Sequence, residues 1–239
     1  ALLSGRRNAP RPEYEADLAA FRRTWLSLTD QRRAVVELLS RFALTTAAAK
    51  RWLDPGLRAK ATDRSISDDD ILANPYLIAE ADLGDWNDPP VSLITIDRGL
   101  LPDDTIRVAA PVPEPARVAS PADPRRIEAA LADVLRRAAD YGDSLLSVTE
   151  TLDRVADLKL TPALPVSTDW INAHVDNGHR TLRLVELPAG HCLQLASLRE
   201  RGDFLAKTLR ARATRRLPSL GEDWAGLLRQ SIEVFDDND

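Results

Sequence analysis

Residues 181–195, TLRLVELPAGHCLQL, decide how this chain is read. Thr181 to Leu187 alternate with period two, Pro188-Ala189-Gly190 supplies a turn, and His191 to Leu195 alternate again. Alternation puts one side of each strand on a core, and two such runs around a Gly-containing turn predict a β-hairpin. The segments before it read as helices. Asp123-Pro124 opens one whose apolar stripe is Ile127, Leu131, Val134 and Leu135, ending by Tyr141-Gly142. Ser144-Leu145-Leu146 is long enough only for a brief strand or a turn. Ser147 and Glu150 have capping-box spacing and open a helix through Leu152, Val155 and Leu158. Ser167 or Thr168 opens the next, through Trp170, Ile171 and Val175, stopped by Asn177-Gly178.

The order helix, short strand, helix, helix, hairpin over residues 123–196 is that of a winged helix, a relative of the helix-turn-helix. Residues 197–239 then read as a long helix from about Ser197 to Leu217, followed by LPSLGEDWAGLLRQSI and an acidic tail, DDND. Leu198, Leu205, Leu209 and Ala213 give that helix an apolar side. From Phe204 onward it carries Lys207, Arg210, Arg212, Arg215 and Arg216 with no acid. Together with Arg180 and Arg183 on the wing, these are the candidate nucleic-acid-binding residues, because phosphate binding needs a handful of positioned cations. A solvated helix face is the competing reading of the same charges.

The first half reads as mainly helical. Residues 1–12 form an expected flexible leader with Arg6, Arg7 and Arg11. In 13–106, Tyr14, Leu18, Phe21, Trp25 and Leu28 mark one amphipathic helix, and Thr29-Asp30 caps a second through Val35, Leu38, Leu39 and Phe42. Thr45 or Thr46 caps a third, ending at Asp54-Pro55-Gly56, and a polar connection follows. Pro89-Pro90 and Gly99 with Pro102 bracket a later helix. Residues 107–122 carry Pro111, Pro113, Pro115 and Pro121, and are read as a linker or a surface strap, the clearest domain boundary in the chain.

The stretch SISDDDILANPYLIAEADLGDW, residues 65–86, raises a chemical question. Asp68, Asp69 and Asp70 offer oxygen ligands for Mg²⁺ or Ca²⁺, but adjacent helical residues point apart and no EF-hand-type loop follows. Ser67 as N-cap, with acid in the first turn against the helix dipole, accounts for all three. His174, His179 and His191 beside Cys192 match no paired zinc spacing. No G-x-S-x-G turn and no G-x-x-x-x-G-K-[ST] loop occurs, so no catalytic residue and no metal site is assigned, and no cofactor is assigned to this chain.

Composition sets the outer bounds. Of 239 residues, 44% are hydrophobic and 29% charged, as in a folded globular protein, while aromatics make up only 5%, so Leu, Val, Ile and Ala must form the core. The net charge of -5 argues against a general nucleic-acid coat without excluding a local basic face. One cysteine allows no internal disulfide and fits a cytoplasmic setting. No apolar run is long enough to cross a bilayer, and ALLSGRRNAP is too short and polar for a secretory signal, so no membrane partner is expected. The chain has no methionine, which suits a processed piece or a fragment.

Several phrases, in order, resemble the region ahead of the motor in RecD-like DNA helicases. Asn74-Pro75-Tyr76-Leu77 resembles a family phrase, ENPY-x-L, that closes one small helical motif and introduces another. Phe42-Ala43-Leu44-Thr45, followed by Ala48, Arg51 and Trp52, resembles the preceding FGLS phrase. Asp123 to Leu146 resembles the segment that opens the family's winged-helix-like subdomain, and Leu193-Gln194-Leu195 through Ala206 resembles the stretch leading from its wing. The likeness covers about residues 35–235 and is nearest to actinobacterial RecD-like or AAA-family ATPases, where a segment similar to LPSLGEDWAGLLRQSI precedes the first ATPase motif. The resemblance implies a non-catalytic accessory region of an ATP-dependent helicase acting in DNA metabolism such as repair. Its partner is the motor domain of the same parent chain, with ATP and Mg²⁺ bound there and DNA as a possible ligand. Where the family has glycine-bearing hairpin turns, this chain has the acidic LGDWNDPPVS, residues 83–92, which speaks for docking there over DNA contact. The alternative is a stand-alone winged-helix regulator or protein-interaction module. Against base reading, STDWINAHVDN, residues 167–177, holds two aspartates and no Arg or Lys.

Overall fold

The computed structural model describes residues 11–175, 179–188, 190–214 and 223–229. It is mainly helical with one small three-stranded antiparallel sheet. Two compact units are present, Ala1–Leu198 and Arg199–Asp239. Among the described residues no helix is long and apolar enough to cross a membrane.

After a 3-10 turn at Pro12–Tyr14, the first unit begins with α1 (Glu15–Ser27) and α2 (Asp30–Leu39). Thr29 caps α2, its side-chain oxygen accepting from Arg32 N at 3.2 Å. No residue of α1 is buried, so its periodic stripe does not enter the core. Thr45 caps α3 (Thr46–Leu53). Asp54 then ends α3 and at once caps α4 (Pro55–Ala61), accepting from Gly56 N and Leu57 N. A polar connection is expected after residue 56; the Pro55 ring, at the first helical position, starts a new helix there instead.

Ser67 caps α5 (Asp68–Ala73) with a reciprocal box: Asp70 N donates to Ser67 Oγ at 3.1 Å, and Ser67 N donates to Asp70 Oδ2 at 2.9 Å. Then follow α6 (Leu77–Ala81), α7 (Leu93–Leu100) and α8 (Asp104–Ala109). The helical region therefore runs slightly past residue 106. Gly99 is fixed by packing: a Cβ there would collide with the Phe42 ring, so α7 lies directly on that side chain.

Residues 111–123 form a strap whose Val112, Ala116 and Val118 are buried. It leads into α9 (Pro124–Asp140), β1 (Leu146–Ser147), α10 (Val148–Asp157), α11 (Thr168–His174), β2 (Leu182–Leu187) and β3 (Gly190–Leu195). Ser147 caps α10 as expected, but Glu150 does not close the box. Its carboxylate takes Arg154 one turn on, at 2.6 Å. The hairpin forms where the alternation placed it, with Leu184 opposite Leu193, and β1 pairs on the other edge of β3, giving the order β1-β3-β2. The helix α12 spans Ala196–Ala213.

One hydrophobic cluster joins α2, α3, α5, α6 and α7 to the strap, α9, α10, α11 and the sheet. One crossing within it is ionic. Asp97 on α7 receives Arg126 of α9 through two bonds, Nε to Oδ1 at 2.7 Å and Nη2 to Oδ2 at 2.9 Å. The Tyr76 hydroxyl donates to the same Oδ1 at 2.8 Å. Arg126 is fully buried and Asp97 nearly so. The remaining N–H groups of Arg126 reach the Pro121 and Pro162 carbonyls at 3.1 and 2.6 Å. Burial raises the Tyr76 hydroxyl pKa far above its usual range, with the Asp97 charge adding to it, so it remains a proton donor. Asp97→Ala should destabilise the fold by about 3–5 kcal/mol, because it strands a buried guanidinium. Urea unfolding with an unchanged m-value is the check.

Candidate nucleic-acid interface

The basic residues singled out by sequence divide between the two units. Arg180 is exposed in the first, and its charge helps keep the Asp70 carboxyl below the usual value, behind the hydrogen bonds from Ser67. Arg183 lies on β2 but is half-buried, and its guanidinium turns back to the carbonyls of His179 and Leu182. These contacts hold it beside backbone acceptors close to it in sequence.

Lys207, Arg210 and Arg212 lie in the second unit, all exposed on α12. Among the described residues no carboxylate pairs with them; the ion pair of Arg199 with Asp203 sits nearer the start of the helix. Lys207 and Arg210 are three residues apart and share a side, whereas Arg212 is turned about 140° from Lys207. On the same helix Phe204, Leu205 and Leu209 are exposed at 69%, 58% and 63%. The helix thus carries cations and apolar side chains together, and Leu205 and Leu209 of its apolar side are exposed. Arg215 and Arg216 lie outside the described residues.

The acidic clusters have other partners. Asp68 accepts from Arg32 at 3.0 Å and from Arg58 at 2.6 Å, Asp69 takes Gln31, and Asp70 closes the cap. Among the described residues no group of three or more His, Cys, Asp or Glu is placed to hold a metal ion. His174 stacks on Trp170 with ring centroids 4.4 Å apart. His179 Nδ1 accepts from the amides of Thr181 and Leu182, which leaves Nε2–H facing Glu128 at 3.3 Å.

Asp82, just ahead of the acidic loop LGDWNDPPVS, and Asp85 and Asp88 within it surround one buried side chain as its counter-charge. Arg51 on α3, 4% exposed, grips Asp82 with Nε at 2.9 Å and Nη2 at 2.8 Å, and reaches Asp88 with Nη1 at 3.0 Å. Thr45 Oγ1 donates to Asp88 at 2.7 Å, and Val91 N to Asp82 at 2.8 Å. The hydrogen bonding of Arg51 to Asp82 leads in raising the Arg51 pKa; the hydrogen bond that Asp88 accepts from Thr45 leads in lowering the Asp88 value. Gly84 turns the loop at φ +67°, where a Cβ would lie 2.8 Å from Asp88 O and Pro90. Asp85 N then closes on Asp88 O at 2.8 Å, and Trp86 at the tip is 97% exposed. Three carboxylates around one guanidinium disfavour phosphate here.

The buried arginines were missed in the sequence because Arg on a helix is ordinarily a solvent residue. A signal did exist. Arg126 begins the i, i+4 series Arg126, Ala130, Val134, Ala138, and Arg51 lies between the core residues Ala48 and Trp52. Compared with protein-family models, curated proteins and solved structures, the chain has no match.

Two outcomes are expected. Arg51→Ala should cost about 3–5 kcal/mol in chemical unfolding while Trp86→Ala stays within about 0.5 kcal/mol, since only the former leaves buried charge unpaired. Asp70→Asn should lower the melting temperature at pH 7. The Asp70 pKa is depressed by folding, so its contribution is present above the ordinary value of 3.8 and lost as pH falls through the lower folded value. The gap between wild type and variant in a pH series of melting curves should therefore close below about pH 3.8.

Proposed function

We propose that this chain is a non-catalytic, DNA-contacting accessory region of a RecD-like ATP-dependent helicase, whose motor, with its ATP and Mg²⁺, lies outside residues 1–239. The observation that carries the DNA contact is α12, where Lys207, Arg210 and Arg212 stand exposed beside Phe204 and Leu209 with no carboxylate partner among the described residues. Cations that follow a phosphate backbone, with apolar and aromatic groups between them, suit sequence-tolerant binding.

The second half is read as winged-helix-like. The succession α9, β1, α10, α11, β2, β3 and the sheet order β1-β3-β2 support it. The regulator alternative requires a helix that reads bases in the major groove, and α11 has no Arg or Lys while Asp169 occupies its first turn. The first half is assigned to docking on the parent chain. Its acidic loop carries excess carboxylate and an exposed tryptophan, features suited to a protein surface.

Fluorescence anisotropy with labelled DNA of several sequences, over a salt series, tests the proposal. Lys207→Glu with Arg210→Glu should weaken binding to a similar extent on every sequence. On duplex DNA it should also reduce the slope of log K against log salt by about 0.9 for each phosphate that the variant no longer neutralises. An unchanged affinity and slope removes α12 from the interface. A reading frame continuing past Asp239 into a phosphate-binding loop tests the motor separately.

A further inference from the structure

A cavity of about 280 Å³ lies between the end of α7, α8 and the proline-rich strap. Leu100, Val108, Pro111, Val112 and Val118 line it, and its charged lining among the described residues is Arg107 and Arg117. No carboxylate is among these lining residues. The floor is apolar and fixed: Leu100, Val112 and Val118 are each 7% exposed or less. Val108 stands at its edge, 83% exposed.

The walls are held before anything binds. Arg41 donates to the Ala110 and Pro111 carbonyls at 2.9 and 2.6 Å, which fixes the start of the strap. Arg125 donates to the Pro115 and Arg117 carbonyls at 3.0 and 2.6 Å, which fixes its middle. A hollow whose walls are already ordered takes a ligand without the entropy cost of closing a loop. The two lining guanidiniums are more than half exposed. Arg107 pairs with Asp104 at 2.6 Å, and Arg117 approaches Glu114 only to 3.8 Å, beyond hydrogen-bond distance. Exposed pairs of this kind contribute little, so each head group is available to a better acceptor.

An apolar hollow whose polar lining is cationic selects one class of ligand. We propose that this cavity binds an amphipathic carboxylate, whose hydrocarbon body lies on Leu100, Val112 and Val118 while its carboxylate takes hydrogen bonds from Arg107 and Arg117. A forked guanidinium matches a carboxylate in geometry and charge. The same chemistry is offered by a free medium-chain acid and by a peptide ending in an apolar residue with a free terminal carboxylate.

Isothermal titration calorimetry on the whole chain tests this, with octanoate as probe and octanol and acetate as controls. Octanoate should bind saturably at one site, and the controls, each lacking one half of the chemistry, should bind far more weakly. Arg107→Gln with Arg117→Gln should weaken octanoate by roughly tenfold or more at an unchanged melting temperature, the scale of a forfeited charge-assisted hydrogen bond. Val108→Asp, which places a carboxylate at the edge, should weaken it as well. Absence of saturable binding, equal binding of octanol, or an unaltered affinity in the double arginine variant overturns the proposal. A short peptide ending in Phe, compared with its amidated form, identifies the source: tighter binding of the free-acid peptide than of octanoate assigns the cavity to a chain terminus, and the reverse to a free acid. DNA affinity, which rests on α12, is a separate readout.

Discussion

The carboxylate of Asp97 has almost no access to water and must be offset by a matching cation inside the protein. Arg126 is that cation, and its planar fork accepts only one arrangement of α7 against α9. Tyr76 completes the carboxylate, which places the start of α6 at the same point. The two remaining contacts of Arg126 draw in the end of the strap and the loop around Pro162. Five separate segments therefore meet on one ion pair. Hydrophobic burial supplies most of the driving force for folding, but it is non-directional. The Asp97–Arg126 geometry sets the register between the helical first half and the part that carries the sheet.

Arginines also hold irregular segments at three further places among the described residues. Arg58 satisfies the Trp52 and Ile66 carbonyls, Arg41 those of Ala110 and Pro111, and Arg125 those of Ala73, Pro115 and Arg117. Prolines in the strap remove donors, and its carbonyls take side-chain N–H groups from Arg41 and Arg125 instead. A guanidinium with five N–H groups serves such carbonyls better than an ammonium, which gives the arginine-rich composition a structural use. The proline-rich segment is consequently a strap held in place, and the cavity beside it has ordered walls for the same reason.

Function divides along the same line. Charges with buried partners, as around Arg51, fix loops, whereas Lys207, Arg210 and Arg212 on α12 stand exposed with no carboxylate partner among the described residues. Asp68, Asp69 and Asp70 and the LGDWND loop look alike in sequence, as runs of acid. The first run caps α5 and receives Arg32 and Arg58, whereas the second surrounds Arg51 and lifts Trp86 into solvent.

Local signals in the sequence determined the helix starts at Thr29, Thr45, Ser67, Asp123, Ser147 and Ser167, and the hairpin at 182–195, because caps and strand alternation act over three or four residues. The basic character of α12 was legible for the same reason. Tertiary structure alone decided that Arg51, Arg58 and Arg126 are buried and that Leu205 and Leu209 stay exposed. Each of these depends on a partner distant in sequence or on which face another element covers. A periodic pattern states that a face exists, and only packing states what lies against it.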